Sequence, residues 1–416
     1  FFSKYLCKMS TSFEMANPLQ ATSPASSGSL DSLDRSYANK ELDLARRAEV
    51  HNFSAGQSVV DTGVLLQLQA QLLNYENSGM SLLEMSQRDA DGEVQRLIRD
   101  AEVNVRTMLD VPDNYSVLMM HGGAHSQFSA VPLNLLKRGR SADYVCTGFW
   151  SQRSAVEASK HIDVRQIQLG IDELSKPESW NLNKDAAYVH ICYNETISGV
   201  AINEDIDFGP DHVVVADMTS TLLSRPVDIS KYGCIYASSG KNLGPAGICL
   251  IIVRHDLLEC GADHLPSIMS WKVQHQCGNI YNTPNVFGIW AMNEAIKDFM
   301  RKGGMKWIQE ETRAKTSMLY DVIDNSNGFY CNRVPPEHRS LTAIPFFING
   351  GNPEMEALFI SEASEKGIQQ IFGHASVGGL RAAIYNASPR ASVAALCQFM
   401  AEFHESVTPG ASSSLT

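Results

Sequence analysis

The stretch YASSGKNLGPAGICLIIV, residues 236–253, joins a turn of small residues to an apolar run that predicts a buried strand. One lysine, Lys241, lies in this turn among serines and glycines. Most lysines of soluble proteins are solvated surface charges, so a lysine this close to a predicted core strand needs an explanation. Its small neighbours leave space for a ligand, and the rest of the chain indicates which ligand.

Short apolar runs alternate with helical patterns on both sides of this stretch. Helical spacing of apolar residues is seen in GVLLQLQAQLLNY (63–75) and EVQRLIRDAEVNVRTML (93–109). The runs that predict strands are SVLMMHGG (116–123), ADYVCTG (142–148), VRQIQLG (164–170), AAYVHICY (186–193), VVVADMTS (213–220) and GCIYASS (233–239). Near-continuous apolar strands between helices predict an α/β fold with a mostly parallel sheet that is covered on both faces.

Changes of pattern along the chain predict its domain organisation. Residues 1–45 are rich in Ser, Ala and Asn, which predicts a disordered N-terminal extension. A large domain is predicted over residues 46–300. Longer helices and fewer strands follow, which predict a smaller C-terminal α+β domain over residues 301–408 and a loose tail over 409–416.

The composition excludes several classes of partner and site. The chain has 416 residues, with 34 basic and 46 acidic residues and a net charge of −12, which argues against nucleic acid or an anionic membrane as the main partner. Its nine cysteines include no CxxC pair, so we expect reduced thiols and no metal site. The absence of a long apolar run predicts no membrane span, and a cytoplasmic location is expected, with organellar targeting by the N-terminal extension as the alternative.

Polar residues collect where the predicted strands end. Asp217 ends one strand, Lys241 follows the next, and Thr196 and Trp150 follow two others. The loop GGAHS (122–126) opens a helix, whose first N–H groups can hold an anion. Ligands of open α/β sheets bind beyond the carboxyl ends of the strands. A lysine, an acid, an aromatic ring and an anion-binding helix start at this edge are what pyridoxal 5'-phosphate (PLP) requires.

Each of these groups has a chemical task in PLP enzymes. The lysine amine forms a Schiff base with the cofactor aldehyde and later moves a proton between substrate carbons. The carboxylate keeps the pyridine nitrogen protonated, so that the ring withdraws electrons from the substrate. An aromatic side chain stacks on the ring, and helix N–H groups take the phosphate.

A set of ordered motifs gives the chain a specific resemblance. These motifs are NFSAG (52–56), GMSLLEMSQR (79–88), HGGAHSQFSAVPLNLL (121–136), ADYVCTGFW (142–150), YVHICYNETISGVAI (188–202), VVVADMTSTLLSRPVD (213–228), GKNLGPAG (240–247), YNTPNVF (281–287) and GHASVGGLRAAIYNA (373–387). Over roughly residues 51–407 the chain resembles the phosphoserine aminotransferases, fold-type-I PLP enzymes of the class V aminotransferase group. The resemblance implies this fold, PLP as cofactor, and a transaminase.

The resemblance also implies roles for single residues near the cofactor. Lys241 corresponds to the Schiff-base lysine, Asp217 to the partner of the pyridinium nitrogen, and Trp150 to the ring-stacking tryptophan. Thr196 matches a residue that bonds the ring-hydroxyl region. The implied phosphate contacts come from Ala124 and His125 and, from the partner subunit, Asn282 and Thr283. The last pair implies a homodimer with shared active sites.

Three further matches concern the substrate, and four positions depart from the family pattern. Arg381 matches the arginine that binds the α-carboxylate, while Arg88 and His374 match residues that hold the substrate phosphate or the side-chain carboxylate of glutamate. The family commonly has other residues at Gln57, Gln87, Gly240 and Ala375, and at 375 it commonly has an arginine. Losing one charge-assisted contact costs about 1.5–3 kcal/mol.

The predicted reaction is transamination between L-glutamate and 3-phosphooxypyruvate, which gives 2-oxoglutarate and O-phospho-L-serine for serine biosynthesis. The alternative is a divergent paralogue that transaminates another acidic 2-oxo acid, because Gln87, Gly240 and Ala375 leave the phosphate site with fewer polar and charged contacts. A non-catalytic protein on the same scaffold is a third hypothesis, against which the retained catalytic set argues. Arg225 is expected to pair with a surface acid.

Overall fold

The computed structural model describes residues 40–408. The predicted extension up to residue 39 and the tail from 409 lie outside the described residues. Residues 40–45 differ from the prediction of disorder, because Lys40–Ala48 form a helix, α1. The segment KELDLARRA consists mostly of good helix formers, and Arg46 and Arg47 lie in its last turn, where cations are favoured.

The remaining helices and the strands are numbered in chain order. The helices are α2 (Thr62–Gln71), α3 (Glu93–Leu109), α4 (Ala124–Leu135), α5 (Phe149–Ala158), α6 (Trp271–Gln276), α7 (Val286–Lys302), α8 (Gly304–Asp324), α9 (Pro353–Glu365) and α10 (Arg390–Val407). The strands are β1 (His51–Asn52), β2 (Tyr115–Gly122), β3 (Ser141–Cys146), β4 (Asp163–Gln168), β5 (Val189–Cys192), β6 (Asn194–Glu195), β7 (Val200–Ala201), β8 (Val214–Asp217), β9 (Cys234–Ser238), β10 (Gly247–Arg254), β11 (Tyr330–Cys331), β12 (Ala343–Ile348), β13 (Ile368–Gln369) and β14 (Leu380–Ala383).

The central sheet has the strand order β2-β10-β9-β8-β5-β3-β4. Strands β9, β8, β5, β3 and β4 pair in parallel, and β10 runs antiparallel to both of its neighbours. The prediction of a mostly parallel α/β sheet is therefore confirmed. Among residues 40–408, no helix is long and apolar enough to cross a membrane.

Both faces of this sheet are buried, which explains its near-continuous apolar strands. Along β8, Val214 and Ala216 pack on one face, with side chains of α3 and α7. Val215 packs on the opposite face, with side chains of α4 and α5. Because neighbouring residues of a strand point to opposite faces, each apolar residue of such a strand has a core to enter.

A third apolar cluster lies among the C-terminal elements. It combines the small sheet β11-β12-β14 with side chains of α8, α9 and α10. Phe53 is fully buried in this cluster, and β1 pairs in parallel with β13. Residues 51–53, which the sequence analysis assigns to the large domain, thus pack with C-terminal elements. This segment then leads the chain to the carboxyl edge of the central sheet.

Several strand ends meet at this edge. β5 ends at Cys192, β8 at Asp217 and β9 at Ser238. Since β10 runs back antiparallel to β9, the turn between Ser239 and Ala246 lies on the same edge. The opening stretch of the sequence therefore places Lys241 on a turn beyond the carboxyl ends of the strands, as predicted.

Candidate active site

A cavity of about 350 Å³ opens at the carboxyl edge of the central sheet. It has the size of a small-molecule pocket. Eight of the residues singled out from the sequence line it, namely Ala124, His125, Trp150, Thr196, Asp217, Lys241, His374 and Arg381. The structure brings together residues that are up to 257 positions apart in the chain, from Ala124 to Arg381.

The turn that carries Lys241 is held by the segment before α2. Ser58 donates its backbone N–H to Gly240 O at 2.9 Å and its hydroxyl to Lys241 O at 2.6 Å. The amide of Gln57 donates to Gly244 O at 3.2 Å and accepts from Ala246 N at 2.7 Å. These four bonds fix the backbone of the turn on its outer side, so that the half-buried Lys241 lines the cavity.

Two departures from the family pattern meet in this turn. A Cβ atom at Gly240 would lie 3.1 Å from Ala246 Cβ and 3.5 Å from Gln57 Oε1. The side chain of Gln57 thus occupies space into which a long side chain at position 240 would extend. The backbone bonds of Gln57 were not predicted from the sequence, because they join residues 187 and 189 positions apart.

Asp217 is a buried acid at the end of β8, with 6% of its surface exposed. Its Oδ1 accepts the Thr219 backbone N–H at 2.9 Å. Burial raises the pKa of the Asp217 carboxyl, although the Thr219 bonds, the charge of Lys241 and the Tyr236 hydroxyl act in the opposite direction. A buried carboxylate of this kind gains from a cationic partner in the cavity, such as a protonated pyridine nitrogen.

Trp150, in the first turn of α5, is held in place by Glu195, a fully buried carboxylate of β6. Glu195 accepts the backbone N–H of Trp150 at 2.7 Å and that of Ser151 at 2.8 Å, besides the Ser151 hydroxyl at 2.6 Å. The Trp150 indole N–H donates to Thr196 Oγ1 at 2.9 Å. Burial raises the pKa of the Glu195 carboxyl, against the effect of these bonds. Glu195 therefore positions the indole without lining the cavity.

The start of α4 forms another wall of the cavity. Its first residues, Ala124 and His125, follow Gly122 and Gly123, and Gly122 has a φ of 107° that favours glycine. The first N–H groups of a helix lack partners within the helix and attract anions. The His125 ring lies edge-on to Trp150, with 5.7 Å between centroids. Burial and the charge of Arg153 lower the pKa of His125, which favours its neutral form.

Cationic and hydrogen-bonding groups line the opposite wall. Arg381 donates from Nη1 to Thr196 O at 3.0 Å. Its Nε and Asn194 Oδ1 are buried and have no hydrogen-bond partner among the described residues. His374 Nδ1 lies 2.7 Å from Ser376 Oγ and 3.2 Å from the Ser376 backbone nitrogen, and when Nδ1 accepts from Ser376 the ring Nε2 is left to donate. Asn194 Oδ1 can only accept a hydrogen bond, so of Asn194 and Arg381 only the Arg381 guanidinium suits an anionic ligand.

Three predicted site residues do not line this cavity. Arg88, Asn282 and Thr283 are exposed. Gln87 lies beside Thr283, with 3.5 Å between Gln87 Nε2 and Thr283 Oγ1, and His121 donates from Nε2 to Thr283 O at 2.9 Å. The predicted grouping of Arg88 with His374 is therefore absent within residues 40–408 of one chain. These residues form a separate surface group with Gln87 and His121.

The expectation for Arg225 was half right. It pairs with Asp205 at 2.7 Å, but both side chains are largely buried, and the guanidinium lies over the Tyr193 ring at 5.6 Å from its centroid. The pair is part of the interior rather than of the surface. Thr219, Ser220 and Cys192 also line the cavity and were not among the predicted site residues, although each lies at or just after the end of a predicted strand.

Comparison with known proteins identifies the family. The aminotransferase class-V profile matches residues 50–396. The chain therefore belongs to the class-V aminotransferases. A phosphoserine aminotransferase from Bacillus circulans subsp. alkalophilus is 37% identical, with a TM-score of 0.80, and the match covers 86% of this chain and 98% of that one.

Two further structures extend the comparison. PLP-bound phosphoserine aminotransferase from Trichomonas vaginalis is 35% identical with a TM-score of 0.80, over 85% of this chain and 99% of that one. A subgroup IV aspartate aminotransferase from Thermus thermophilus is 16% identical with a TM-score of 0.69, over 86% of this chain and 100% of that one, and shows the shared fold. The predictions of a fold-type-I enzyme, of a transaminase and of PLP as its cofactor are confirmed.

The residues of the cavity fit PLP. Asp217 would supply the carboxylate that a pyridinium nitrogen requires, the start of α4 would supply N–H groups for a phosphate, and Lys241 would supply the amine. The orphaned Asn194 Oδ1 and Arg381 Nε remain for a substrate or the cofactor. When bound, PLP serves as an electron sink for the bond broken at the α-carbon of an amino acid.

Proposed function

We propose that this class-V aminotransferase transfers the amino group of L-glutamate to 3-phosphooxypyruvate, with O-phospho-L-serine and 2-oxoglutarate as products. The 34–37% identity to phosphoserine aminotransferases over most of the chain supports this substrate pair. The reaction would serve serine biosynthesis.

The observation that carries the proposal is that a cation and a hydrogen-bond donor lie together in the wall of the cavity. Arg381 and His374 both line it, and the Arg381 guanidinium stays charged at neutral pH despite the burial that lowers its pKa. A guanidinium with a free Nε matches a carboxylate, and a ring Nε2–H suits a second anionic group. Both proposed substrates have a carboxylate and a second anionic group.

Each residue of the cavity has a separate role in the proposed reaction. Arg381 binds and orients the α-carboxylate, and His374 donates from Nε2 to the distal anion. Trp150, fixed by Glu195 and Thr196, closes one side of the cavity against water. The Lys241 amine would take the proton released from the substrate α-carbon, and the bonds of Ser58 to the backbone of its turn would hold that amine in place. Asp217 would hold the pyridine nitrogen of the cofactor as an ionised carboxylate.

We further propose a homodimer with shared active sites. The exposed group of Arg88, Asn282 and Thr283 lies outside the cavity of its own chain. In a dimer this group would reach the cavity of the partner subunit and add a cation and hydrogen-bond donors for the cofactor phosphate and the distal anion. If the sites are shared, mixing Lys241→Ala with Arg88→Ala forms heterodimers in which one site has both the amine and the cation, so the activity of the mixture should exceed the mean of the two variants.

The alternative substrate is another acidic 2-oxo acid. It is favoured by Ala375, which is exposed directly beside His374 and adds no charge to the distal anion site. Oxaloacetate and 2-oxoglutarate are the simplest acids of this class.

The experiment measures the two half-reactions separately. L-Glutamate converts the bound cofactor to its amine form, and the visible absorbance band is then restored with 3-phosphooxypyruvate, oxaloacetate or pyruvate. We expect kcat/KM for 3-phosphooxypyruvate to exceed that for each unphosphorylated acid by at least about tenfold, as one charge-assisted contact provides. A higher kcat/KM for oxaloacetate would overturn the proposed substrate and leave the transaminase assignment in place.

A charge-gain variant tests the distal site itself. Ala375→Arg is expected to lower KM for 3-phosphooxypyruvate about tenfold and to leave KM for pyruvate within about twofold. Gln398→Arg adds the same charge on the exposed face of α10 and serves as the control. Equal effects of both variants would show that position 375 does not face the distal anion.

A further inference from the structure

A row of buried polar side chains lies behind Asp217, outside the cavity. His190 and Tyr236 are 1% and 0% exposed, and His190 Nε2 lies 2.9 Å from the Tyr236 hydroxyl. The His190 ring stacks on Tyr144 at 4.6 Å between centroids. Neither His190 nor Tyr236 lines the cavity, and the proposed reaction assigns no task to them.

The strand register connects this row to Asp217. Tyr236 of β9 pairs directly with Asp217 of β8, so both side chains point to the same face of the sheet. This register sets the Tyr236 ring beside the Asp217 carboxyl, and the Tyr236 hydroxyl acts to lower the pKa of that carboxyl. A tyrosine hydroxyl has only one hydrogen to donate, so it is free to serve Asp217 only when it accepts in its contact with His190.

The proton of His190 is therefore located on Nε2. Burial lowers the pKa of His190 to about 3, so the ring is neutral and carries one N–H. Its Nδ1 is buried without a partner among the described residues, and a proton there would leave an unsatisfied donor. That tautomer would also draw the Tyr236 hydrogen away from Asp217. With the proton on Nε2, His190 donates to Tyr236, which leaves the hydroxyl hydrogen of Tyr236 for its strand neighbour Asp217.

We infer that His190 and Tyr236 are positioning residues that act through Asp217, holding its carboxylate ionised and oriented towards the ring nitrogen of the cofactor. The inference rests on PLP as the cofactor and is independent of which 2-oxo acid is the substrate. Asp217 needs this support because its burial favours the neutral acid, which cannot attract a pyridinium nitrogen. Each donor that reaches the carboxylate shifts this balance towards the ion.

The test compares two cofactors that differ at one atom. The 1-deaza analogue of PLP has a carbon in place of the ring nitrogen, so it cannot bond to Asp217. Dissociation constants of both are measured by titrating cofactor-free protein, for the native chain and for Tyr236→Phe, His190→Leu and His190→Gln. Tyr330→Phe is the matched control, because it also removes a buried tyrosine hydroxyl bond, to Met400 O at 2.8 Å, in the C-terminal cluster.

We expect Tyr236→Phe to weaken PLP about tenfold and the deaza analogue by less than about twofold, as loss of one hydrogen bond to a charged group implies. His190→Leu should act in the same direction, and His190→Gln should restore affinity because its amide can donate to Tyr236 from a similar place. Tyr330→Phe should change neither constant. Equal weakening of both cofactors, or no change with either, would overturn the inference, since the row would then act only in packing or not at all.

Discussion

The bond between Ser58 and Lys241 leads to a testable prediction about the catalytic turn. Ser58 is 5% exposed, and its hydroxyl donates to Lys241 O at 2.6 Å. Ser58→Ala removes this donor and leaves the sheltered carbonyl of Lys241 without the hydrogen bond. An unsatisfied buried acceptor costs about 1–3 kcal/mol, so the free energy of unfolding should fall by about that amount. If the turn alone opens, its opening equilibrium rises by about one to two decades.

Two measurements on cofactor-free protein separate these effects. Urea unfolding gives the change in overall stability, and hydrogen–deuterium exchange of the amides of residues 240–246 reports opening of the turn. The matched control is Ser159→Ala, which also removes a serine hydroxyl bond to a backbone carbonyl, Val156 O at 2.8 Å, but on the exposed end of a helix. The free energy of unfolding of Ser159→Ala should stay within about 0.5 kcal/mol of that of the native protein.

The rate of PLP attachment gives a second test of the bond between Ser58 and Lys241. The reaction of Lys241 with added PLP should slow in Ser58→Ala by up to the factor by which the turn opens, and should not slow in Ser159→Ala. Unchanged exchange of residues 240–246 in Ser58→Ala would refute the idea that this hydroxyl holds the turn. Faster exchange with an unchanged rate of PLP attachment would show that the position of the turn does not limit the amine.

Three other predictions concern the same site. Lys241→Ala should lose both the visible cofactor band and transamination with an unchanged far-UV circular dichroism spectrum, and remaining transamination would contradict its assigned role. Burial raises the pKa of the Asp217 carboxyl in the folded protein, so the folded state binds the carboxyl proton more tightly than the unfolded state does. The contribution of Asp217 to stability is therefore present at pH values below the ordinary aspartate pKa and is lost as the pH rises through the raised pKa. Urea titrations of cofactor-free protein between about pH 4 and 7 should therefore show a smaller decline for Asp217→Asn than for the native chain. Gly148→Ala would place a Cβ atom 2.7 Å from the Glu195 side chain, so we expect a loss of about 1–3 kcal/mol in unfolding free energy together with weaker PLP binding, through the displaced Trp150. If Gly148→Ala is destabilised but binds PLP with unchanged affinity, Glu195 does not position the Trp150 indole for the cofactor.

Much of the site could be predicted from the sequence because strand ends can be recognised locally. The apolar runs before Asp217 and Lys241 mark buried strands, and parallel strands bring their carboxyl ends to one edge. Asp217, Lys241, Thr196 and Trp150 line the cavity for this reason, and Ala124 and His125 line it at the start of a helix, whereas His374 and Arg381 were assigned from the family resemblance. The helix Glu93–Leu109 was also predicted with its observed ends, since its apolar spacing is regular throughout.

Other predictions failed where the sequence carries no local signal. The helix predicted over 63–75 ends at Gln71, and a separate 3₁₀ turn follows at Tyr75–Asn77, with Glu76 at a positive φ. The phosphate-binding role of Arg88 stays a prediction, because in one chain Arg88 lies outside the cavity, next to Gln87 of the exposed group around Thr283. Which residues share a cavity depends on how distant segments pack.

The sequence by itself determined the fold class and the sheet edge that carries the candidate site, because strand periodicity and the residues at strand ends are properties of neighbouring positions. Only the tertiary structure decided what holds those groups in place. The contact of Ser58 with Lys241 joins residues 183 positions apart, and that of Glu195 with Trp150 joins residues 45 apart. The link from His190 through Tyr236 to Asp217 crosses three strands of one sheet. Such contacts follow from the register and packing of whole elements, which no short stretch of sequence encodes.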